Sequence, residues 1–397
     1  MTAPLSDIRV LDLGQIYQGG YCGLLLSYLG ADVVKIEPPW GENVRTRSED
    51  GKPPQVQYLN ATKRGITLNL KREPDREALK DLVAKADVLL ENFATGTMAD
   101  LDLGYDTLSE INPELVYAHG SGYGDYGPYA EYPAMDLTIQ AMSGVMHTTG
   151  FPDGPPVKAG PAVSDFMGAV HLALGIVGAL FRRTETGEGD YVEVGMFDCM
   201  YPTLASPVSA WVTRKDTPPR TGNRHSGLSI APYNVYAVAD GYVAIICISE
   251  RHWASLAEIM DHTELIDAPG YDSKVARADR MEEIDELIED WLAGRSQESV
   301  VETLLEAGVP CAPVQSIETI VEDPHLHARE MIHYLPNQSE GRESVPVPGM
   351  PIKFDGSDPP SVTSAPLLGE HTEEVLTDVA GYDAAMIARI TDRTDEE

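Results

Sequence analysis

The feature that most constrains the fold is the alternation of short apolar runs with helix-like segments over the first 125 residues. The apolar runs occupy residues 8–13, 32–36, 65–70, 87–90 and 115–118. Helical patterns lie between them at residues 22–29 and at residues 74–86, where Pro74 stands at the start. Nearly continuous apolar strands joined by helices are typical of a parallel sheet that is covered on both faces. The sequence therefore predicts an α/β fold.

The later part of the chain has a different pattern. A buried helix is predicted over residues 166–183 and a strand over residues 192–194. After about residue 200 the sequence predicts a β-hairpin at residues 233–238 and 242–248, followed by three helical segments. We predict four parts: a first α/β part over residues 1–200, a linker over 201–225, a smaller α+β domain over 226–325, and an extended return segment with a final helix over 326–397.

The chain is strongly acidic, with 63 Asp and Glu against 29 Lys and Arg and a formal net charge of −34. Such a field repels nucleic acid phosphates and anionic membranes, so we expect neither as a partner. The composition also predicts a halophilic protein, because in about 1 M salt the Debye length shrinks to ~3 Å and self-repulsion is tolerable. An ordinary acidic cytosolic protein is the alternative.

The cysteines and the first residues indicate the compartment. The four cysteines are far apart and form no CxxC pair, which predicts a reducing compartment and no structural metal site. Residues 1–14 contain no basic region followed by an apolar core, so we expect no signal peptide. The apolar run at residues 166–181 is shorter than the ~20 residues that a membrane span needs. We therefore expect a cytoplasmic protein.

Known short motifs point to no chemistry by themselves. Residues 122–127 match GxGxxG, but Pro128 and Pro133 follow where a dinucleotide fingerprint opens into a helix. We therefore expect a glycine loop that shapes a pocket. GxSxG, HExxH and P-loop patterns do not occur in the sequence. These patterns alone indicate a two-domain α/β protein, with an enzyme as the expected class.

Longer segments carry a resemblance to a known family. They read VLDLG, GGYCGLLLSYLGADVVKIEPPWGENVR, NATKRGITLNLK, ADVLLENF, SGYGDYGPY, TGFPDGPPVKAGPAVSDFMGAVH, GVPCAPV and PLLGEHTEEVL, in family order. On these segments the chain resembles the class III CoA-transferases, the CaiB/BaiF group that includes formyl-CoA transferase. The resemblance implies an interlocked homodimer, in which a Rossmann-like large domain combines both chain ends and a smaller domain is inserted between them.

The resemblance also implies a nucleophile. The family's catalytic Asp matches Asp165, within KAGPAVSDFMGA. A carboxylate can attack an acyl-CoA thioester to form an anhydride, and CoA can then return to form an aspartyl-CoA thioester. CoA thioester is a substrate in this chemistry, and no cofactor is expected. The structural alternative is that Asp165 caps the helix that follows, and the two roles are compatible because helix amides favour a carboxylate.

Binding residues are implied in the same way. The family's CoA contacts match Tyr17, Gln18, Leu68, Asn69, Leu70, Lys71, Asn92, Phe93 and Ala94. Because CoA is anionic and the chain is acidic, local cations are expected at the phosphates or the substrate. The candidates are Arg45, Arg47, Arg224 and His225, with solvated surface charges as the alternative.

Differences between this sequence and formyl-CoA transferase narrow the range of substrates that we expect. Tyr17 replaces an active-site Gln, while Pro38 and Asp100 replace CoA-binding Arg residues, and these changes argue against oxalate as acceptor. A polar pocket containing Tyr17, with Arg224 and His225, suits a small dicarboxylate. Together with the acidic composition, it leads us to expect succinyl-CoA as donor and mesaconate as acceptor.

Two other functions stay open. The family includes 2-methylacyl-CoA racemases, which use a His–Asp pair, and Met135 aligns with the racemase His. A thioether cannot carry a proton, which disfavours racemization. The remaining alternative is a CoA-binding protein that is not catalytic.

Overall fold

The computed structural model describes residues 3–213, 215, 218–358 and 361–391. Residues 214, 216 and 217 of the predicted linker and residues 392–397 of the predicted C-terminal part lie outside the described residues. The strands are β1 Arg9–Asp12, β2 Asp32–Glu37, β3 Arg64–Thr67, β4 Val88–Glu91, β5 Val116–Ser121, β6 Asp190–Gly195, β7 Tyr233–Val238, β8 Gly241–Ile246, β9 Cys311–Pro313, β10 Ile332–Leu335 and β11 Val345–Pro348.

The α-helices are α1 Ile16–Tyr28, α2 Pro54–Asn60, α3 Glu73–Val83, α4 Thr97–Asp100, α5 Tyr105–Ile111, α6 Asp136–Met142, α7 Val145–Thr148, α8 Val163–Thr186, α9 Met196–Met200, α10 Ala205–Thr213, α11 Glu250–Ile259, α12 Lys274–Ala278, α13 Met281–Leu292, α14 Gln297–Glu306, α15 Ile317–Val321, α16 Pro324–Ala328, α17 Thr372–Asp378 and α18 Ala384–Thr391. The chain forms two compact units. The first comprises Met1–Ile139, Pro161–Met200 and Val321–Glu397, and the second Gln140–Gly160 and Tyr201–Ile320.

The first unit is built on a parallel sheet of six strands in the order β3-β2-β1-β4-β5-β6. Neighbouring residues of one strand contribute to two different cores, as Val10 and Leu11 of β1 show. One core includes residues of α1 and α8, and the other includes residues of α3 and α18. Both sides of the sheet are therefore buried, which explains the apolar runs and confirms the predicted α/β fold.

The strand order of this sheet reverses between β1 and β4. The chain runs outward from β1 to β3, returns to β4 beside β1, and runs outward again to β6. In sheets of this kind ligands bind at the carboxyl ends of the strands where the order reverses. The residues whose contacts with CoA the sequence predicts lie in the turns after β3 and β4 and, for Tyr17 and Gln18, in the first turn of α1, which follows β1.

Helix α8 is longer than the sequence predicts. It spans 24 residues and begins at Val163, so Asp165 lies inside its first turn and Ala162 occupies the N-cap. The alternative that Asp165 is the N-cap is therefore wrong. Among the described residues, α8 is the one helix long and apolar enough to cross a membrane, and 44% of its most apolar window is buried. Its buried residues pack in a core of the first unit, so its length is weak evidence for a membrane span.

The second unit contains the antiparallel sheet β7-β8-β9, and its hairpin β7–β8 matches the predicted one. Its core is formed by residues of the sheet and of α11, α13 and α14, with Trp253 fully buried. Residues 140–160 and 201–225, assigned by the sequence to the first part and to the linker, group with this unit.

Three differences concern the first unit. The third strand ends at Thr67 and not at residue 70, so the predicted CoA-binding residues 68–71 form the turn that follows it. The return segment contains two strands that the sequence did not predict, β10 and β11, which pair in a two-stranded sheet. Strand β11 was missed because Pro346 and Pro348 argue against a strand, although an edge strand tolerates them. Helix α2 was also missed.

The glycine loop of residues 122–127 does not open into a helix, as the sequence predicts, since the next helix, α6, begins at Asp136.

Candidate active site

Asp165 lies at the buried start of α8 and is 9% exposed. Burial, and next the charge of Asp136, raise the pKa of Asp165 to about 7, while the charge of Arg47 acts in the opposite direction. Asp136 Oδ1 accepts a hydrogen bond of 2.9 Å from the backbone amide of Ser164, directly before Asp165. At neutral pH the Asp165 carboxyl is therefore divided between its ionised and protonated forms.

Arg47 and Tyr17 lie beside this carboxyl. Arg47 Nη1 donates a hydrogen bond of 2.8 Å to the Tyr17 hydroxyl, and its guanidinium carbon lies 5.2 Å from the centre of the Tyr17 ring. The Tyr17 ring in turn stacks on Phe166, with 5.9 Å between the ring centres. Arg47 is exposed. The structure thus brings together two predicted residues, Tyr17 and Arg47, with Asp165.

Arg45, in contrast, is a structural residue. Its side chain is buried and donates hydrogen bonds of 2.7 and 2.8 Å to the two carboxylate oxygens of Glu37. It donates another of 3.1 Å to the Pro366 carbonyl. Its charge is already balanced by Glu37, and the expected contact of Arg45 with a phosphate or the substrate stays a prediction.

Gln18 is buried between a strand and α8. A Cβ atom added at Gly120 or at Gly168 would lie 2.9 Å from the Gln18 amide group, so both glycines leave the space that this side chain fills. Gly168 lies one helical turn after Asp165. The Gln18 Nε2 atom is buried and has no hydrogen-bond partner among the residues that the structure describes. Gln18 therefore lies under the same part of α8 as the candidate nucleophile.

The turn after β3 presents few side chains to a ligand. Leu68 belongs to the apolar core, and Leu70 packs against it. Asn69 is buried, and its Oδ1 atom accepts a bond of 3.2 Å from the Lys71 amide. Lys71 is exposed. Of the four predicted residues in this turn, Lys71 is the one that offers a cation at the surface.

The turn after β4 is tied to the loop before α1. Asn92 Oδ1 accepts a hydrogen bond of 2.6 Å from the backbone N–H of Gln15, and Asn92 Nδ2 donates one of 3.1 Å to the backbone carbonyl of Gln15. The side chain of Asn92 is therefore used within the protein. Phe93 packs against the core, while Ala94 is exposed.

The predicted residues Arg224 and His225 lie in the second unit. Arg224 Nε and Nη2 donate bonds of 3.1 and 2.6 Å to Asp285, which also accepts a bond of 2.6 Å from Tyr236. The His225 ring lies 5.7 Å from that of Tyr233. Arg224 is thus paired inside this unit, and the expected substrate contact of both residues stays a prediction.

The sequence analysis missed two groups of polar residues. One is Asp136, whose effect on Asp165 depends on the approach of α6 to α8. The other is a cluster of the buried Glu91 and His119 with the half-buried Asp125, beneath the turn after β4. A His inside the apolar strand β5 was a visible signal for the second group. Within the described ranges, no group of three or more His, Cys, Asp or Glu has the arrangement of a metal site.

Comparisons with known proteins identify the family of the chain. A sequence profile described as CoA-transferase family III matches residues 5–372. The chain is 40% identical to the succinyl-CoA:mesaconate CoA-transferase of Haloarcula hispanica, over 95% of this chain and 96% of that protein. It is 38% identical to the formyl-CoA:oxalate CoA-transferase of Streptomyces avermitilis, over 96% of each chain. The crystal structure of a CaiB/BaiF family protein from Brucella suis superposes with a TM-score of 0.85 at 32% identity, covering 96% of this chain and 100% of that one. The chain therefore belongs to CoA-transferase family III, the CaiB/BaiF group, and is a CoA-transferase.

Proposed function

We propose that Asp165 carries CoA from an acyl-CoA donor to a carboxylic acid acceptor. The Asp165 carboxylate attacks the thioester carbonyl, the carbon–sulfur bond breaks, and CoA leaves as a thiolate. The thiolate then attacks the aspartyl carbonyl of the resulting anhydride and releases the donor acid, leaving an aspartyl-CoA thioester. The acceptor carboxylate repeats the two steps in the reverse direction and leaves as the new acyl-CoA, so Asp165 is regenerated and no proton is consumed.

The observation that carries this proposal is the buried carboxyl at the start of α8, beside Arg47 and Tyr17. A buried carboxylate is poorly solvated, which makes it a better nucleophile than an exposed one. The N-terminal end of a helix dipole favours negative charge, so the start of α8 can help to stabilise the oxyanion that forms on the attacked carbonyl. Arg47 keeps a fraction of Asp165 ionised despite burial.

We propose succinyl-CoA as the donor and mesaconate as the acceptor. The named activity of the Haloarcula hispanica relative supports this pair. The exposed guanidinium of Arg47, held over Tyr17, offers a cation to the second carboxylate of a diacid whose first carboxylate reacts at Asp165. Acetyl-CoA:oxalate and formyl-CoA:oxalate CoA-transferases are 36% and 38% identical to this chain, so oxalate belongs in the test.

For CoA itself we propose the crevice at the carboxyl ends of the strands. Its contacts would come from Tyr17 and Gln18, from residues 68–71 and from residues 92–94. Lys71 is the exposed cation among them and is proposed to contact a phosphate. Because Leu68 is buried and the Asn92 side chain bonds to Gln15, these two residues are proposed to contact CoA through their backbone.

We also propose a halophilic, cytoplasmic homodimer, with both chain ends in a Rossmann-like large domain. An exposed apolar stripe on α8 supports the dimer, since Val170, Leu174 and Phe181 share one helix face with Gly178. Leu174 is 68% and Phe181 71% exposed, which is unusual for large apolar residues unless they lie in an interface. Light scattering of the purified protein should give twice the chain mass of 43.2 kDa.

A racemase remains the alternative enzyme. Met135 lies directly before α6 and is exposed, and its thioether carries no proton that could be exchanged. His171 of α8 is a histidine that could replace the missing base, but its Nδ1 atom is engaged by the Met167 carbonyl at 2.8 Å. We expect no deuterium in the α-position of a chiral 2-methylacyl-CoA in heavy water at a rate near that of CoA transfer. Rapid exchange with inversion would favour the racemase.

The test of the substrate proposal combines an acceptor panel with a variant of Arg47. Succinyl-CoA is offered with mesaconate, oxalate and a monocarboxylate of similar size, and the new thioesters are separated by chromatography. Arg47→Gln lowers the ionised fraction of Asp165 for every acceptor, but it removes the cation for the second carboxylate only from diacids. The KM of mesaconate should therefore rise about 10-fold more than that of the monocarboxylate, as expected for one charge-assisted hydrogen bond.

The control is Arg389→Gln, which removes an exposed cation from α18. Equal losses for the diacid and the monocarboxylate in Arg47→Gln would contradict the role of Arg47. Efficient transfer to oxalate but not to mesaconate would contradict the proposed acceptor.

A further inference from the structure

A buried polar cluster lies beneath the turn that follows β4. His119 of β5 is 3% exposed, and its Nδ1 atom lies 2.9 Å from Asp125 Oδ1. Its Nε2 atom lies 3.2 Å from the Phe93 carbonyl and 3.8 Å from Glu91 Oε1. The hydroxyl of Tyr191, on β6, donates a hydrogen bond to the other oxygen of Asp125. Residues from two strands and two turns thus surround one imidazole.

This cluster holds the turn by its backbone. The Phe93 carbonyl accepts from His119 Nε2, while the Phe93 amide donates a bond of 2.8 Å to Glu91 Oε2. Thr95 Oγ1 lies 3.4 Å from Asp125 Oδ1. The backbone amide and carbonyl of Phe93 are therefore held by Glu91 and His119. The Thr95 side chain is held by Asp125.

The restraint continues into the loop before α1. Asn92 precedes Phe93, and its amide side chain makes both hydrogen bonds with the Gln15 backbone. Tyr17 lies two residues after Gln15. Through Asn92 and Gln15, the Phe93 backbone is therefore held against the loop before α1. That loop leads into Tyr17, which accepts a hydrogen bond from Arg47.

The contacts require a doubly protonated ring. A carbonyl oxygen only accepts, so Nε2 must carry a proton, and an ionised carboxylate only accepts, so Nδ1 must carry one as well. The imidazolium donates to both acceptors at once, whereas a neutral ring with its proton on Nε2 loses the bond to Asp125 and can only accept at Nδ1 from the Tyr191 hydroxyl, 3.3 Å away. Burial acts to lower the pKa of His119, but the hydrogen bond to Asp125 and the charge of Glu91 outweigh it and raise the pKa to about 9. Tyr117 also faces the cluster, through its hydrogen bond of 3.2 Å to Glu91.

We infer that His119, in its protonated form and paired with Asp125, is a positioning residue that fixes the turn of residues 92–95 for CoA binding. The inference rests on the proposed function, in which residues 92–94 contact CoA. When His119 loses a proton, either the Asp125 or the Phe93 contact is lost, and the turn is released. CoA affinity should then fall at a pH where neither Asp165 nor CoA phosphate changes its charge.

The test is direct titration of an S-methyl thioether of CoA, which lacks the titratable thiol of CoA, into the protein between pH 7 and pH 10, without turnover. In the native protein the Kd should be constant to about pH 8 and rise about 5- to 10-fold through pH 9, as expected for one charge-assisted hydrogen bond. His119→Gln keeps a side-chain donor but has no charge, so its Kd should already be raised at pH 7.5 and show no step. His327→Gln is the control, because His327 also bonds to a backbone carbonyl, that of Val321 at 3.0 Å, and should keep the step.

The outcomes separate the two proposals. A native Kd that is flat from pH 7 to pH 10 overturns the role of His119, even if His119→Gln fails to fold. A step that persists in His119→Gln overturns it as well. Either result leaves CoA transfer by Asp165 intact, whereas a native protein that binds no CoA at all contradicts the proposed function itself.

Discussion

Replacing Asp136 by Asn should move the pH dependence of catalysis. Asn keeps an oxygen that can accept the 2.9 Å bond from the Ser164 amide, but it removes the negative charge that helps to raise the pKa of Asp165 to about 7. An opposite charge at close range lowers a carboxyl pKa by about 1 to 3 units, and a like charge acts in the other direction; because burial is the larger cause here, we expect the Asp136 charge to raise the pKa of Asp165 by about the lower end of that range. On the acidic side of the profile, the pH at which the rate reaches half of its plateau should therefore be lower by about 1 pH unit, equivalent to ~1.4 kcal/mol.

This shift has a distinctive consequence for rates. With a pKa of about 7, about a tenth of Asp165 is ionised at pH 6, and with a pKa of about 6 about half is. The variant should therefore be about 5-fold faster than the native enzyme at pH 6 and nearly unchanged at pH 8. The assay is kcat/KM for transfer from succinyl-CoA between pH 5.5 and pH 9. Asp378→Asn, an exposed carboxylate at the end of α17, is the control. An acidic limb that stays in place or moves upward in Asp136→Asn would refute the coupling.

Two further predictions concern stability. Because the pKa of Asp165 is raised from 3.8 to about 7, the folded state binds more protons than the unfolded state in this window, and its stability falls as the pH rises through it. Asp165→Asn should therefore raise the free energy of unfolding at pH 8 by up to about 4 kcal/mol and leave it nearly unchanged at pH 4, measured by chemical denaturation. The net charge of −34 predicts a higher Tm in molar KCl than in dilute buffer, and equal Tm values would show that the charge has another cause.

The sheet was predictable because burial on both faces leaves a direct record in the sequence. The apolar residues of β1 and β4 are consecutive, Val10 and Leu11 in one strand and residues 88–90 in the other, because neighbouring positions enter different cores. Strand β11 left no such record. Its Val345 and Val347 are buried, but they alternate with Pro346 and Pro348, which suit only an edge strand.

The candidate site was predictable only in part. Asp165 was identified from the family resemblance, but its raised pKa depends on burial and on Asp136, which approaches from another helix. Arg45 and Arg47 look alike in the sequence, yet Arg45 pairs with Glu37 at the end of β2 while Arg47 reaches Tyr17. The difference is decided by tertiary contacts.

The buried cluster shows the same limit. A His in an apolar strand indicates that polar partners surround it in the fold. The partners of His119 come from other strands and turns, at positions 91, 93, 125 and 191. A sequence without aligned relatives contains no information on which of these positions are close in space.

The most direct test of the central claim is to trap the covalent intermediate. The enzyme is incubated with succinyl-CoA, treated with hydroxylamine or borohydride, digested, and analysed by mass spectrometry. Asp165 should be modified in the presence of succinyl-CoA and unmodified without it, because only an anhydride or a thioester makes a carboxyl reactive toward these reagents. Asp165→Ala should bind CoA but neither transfer it nor give the modified peptide. Modification of a different carboxyl, or transfer that continues in Asp165→Ala, would contradict the account.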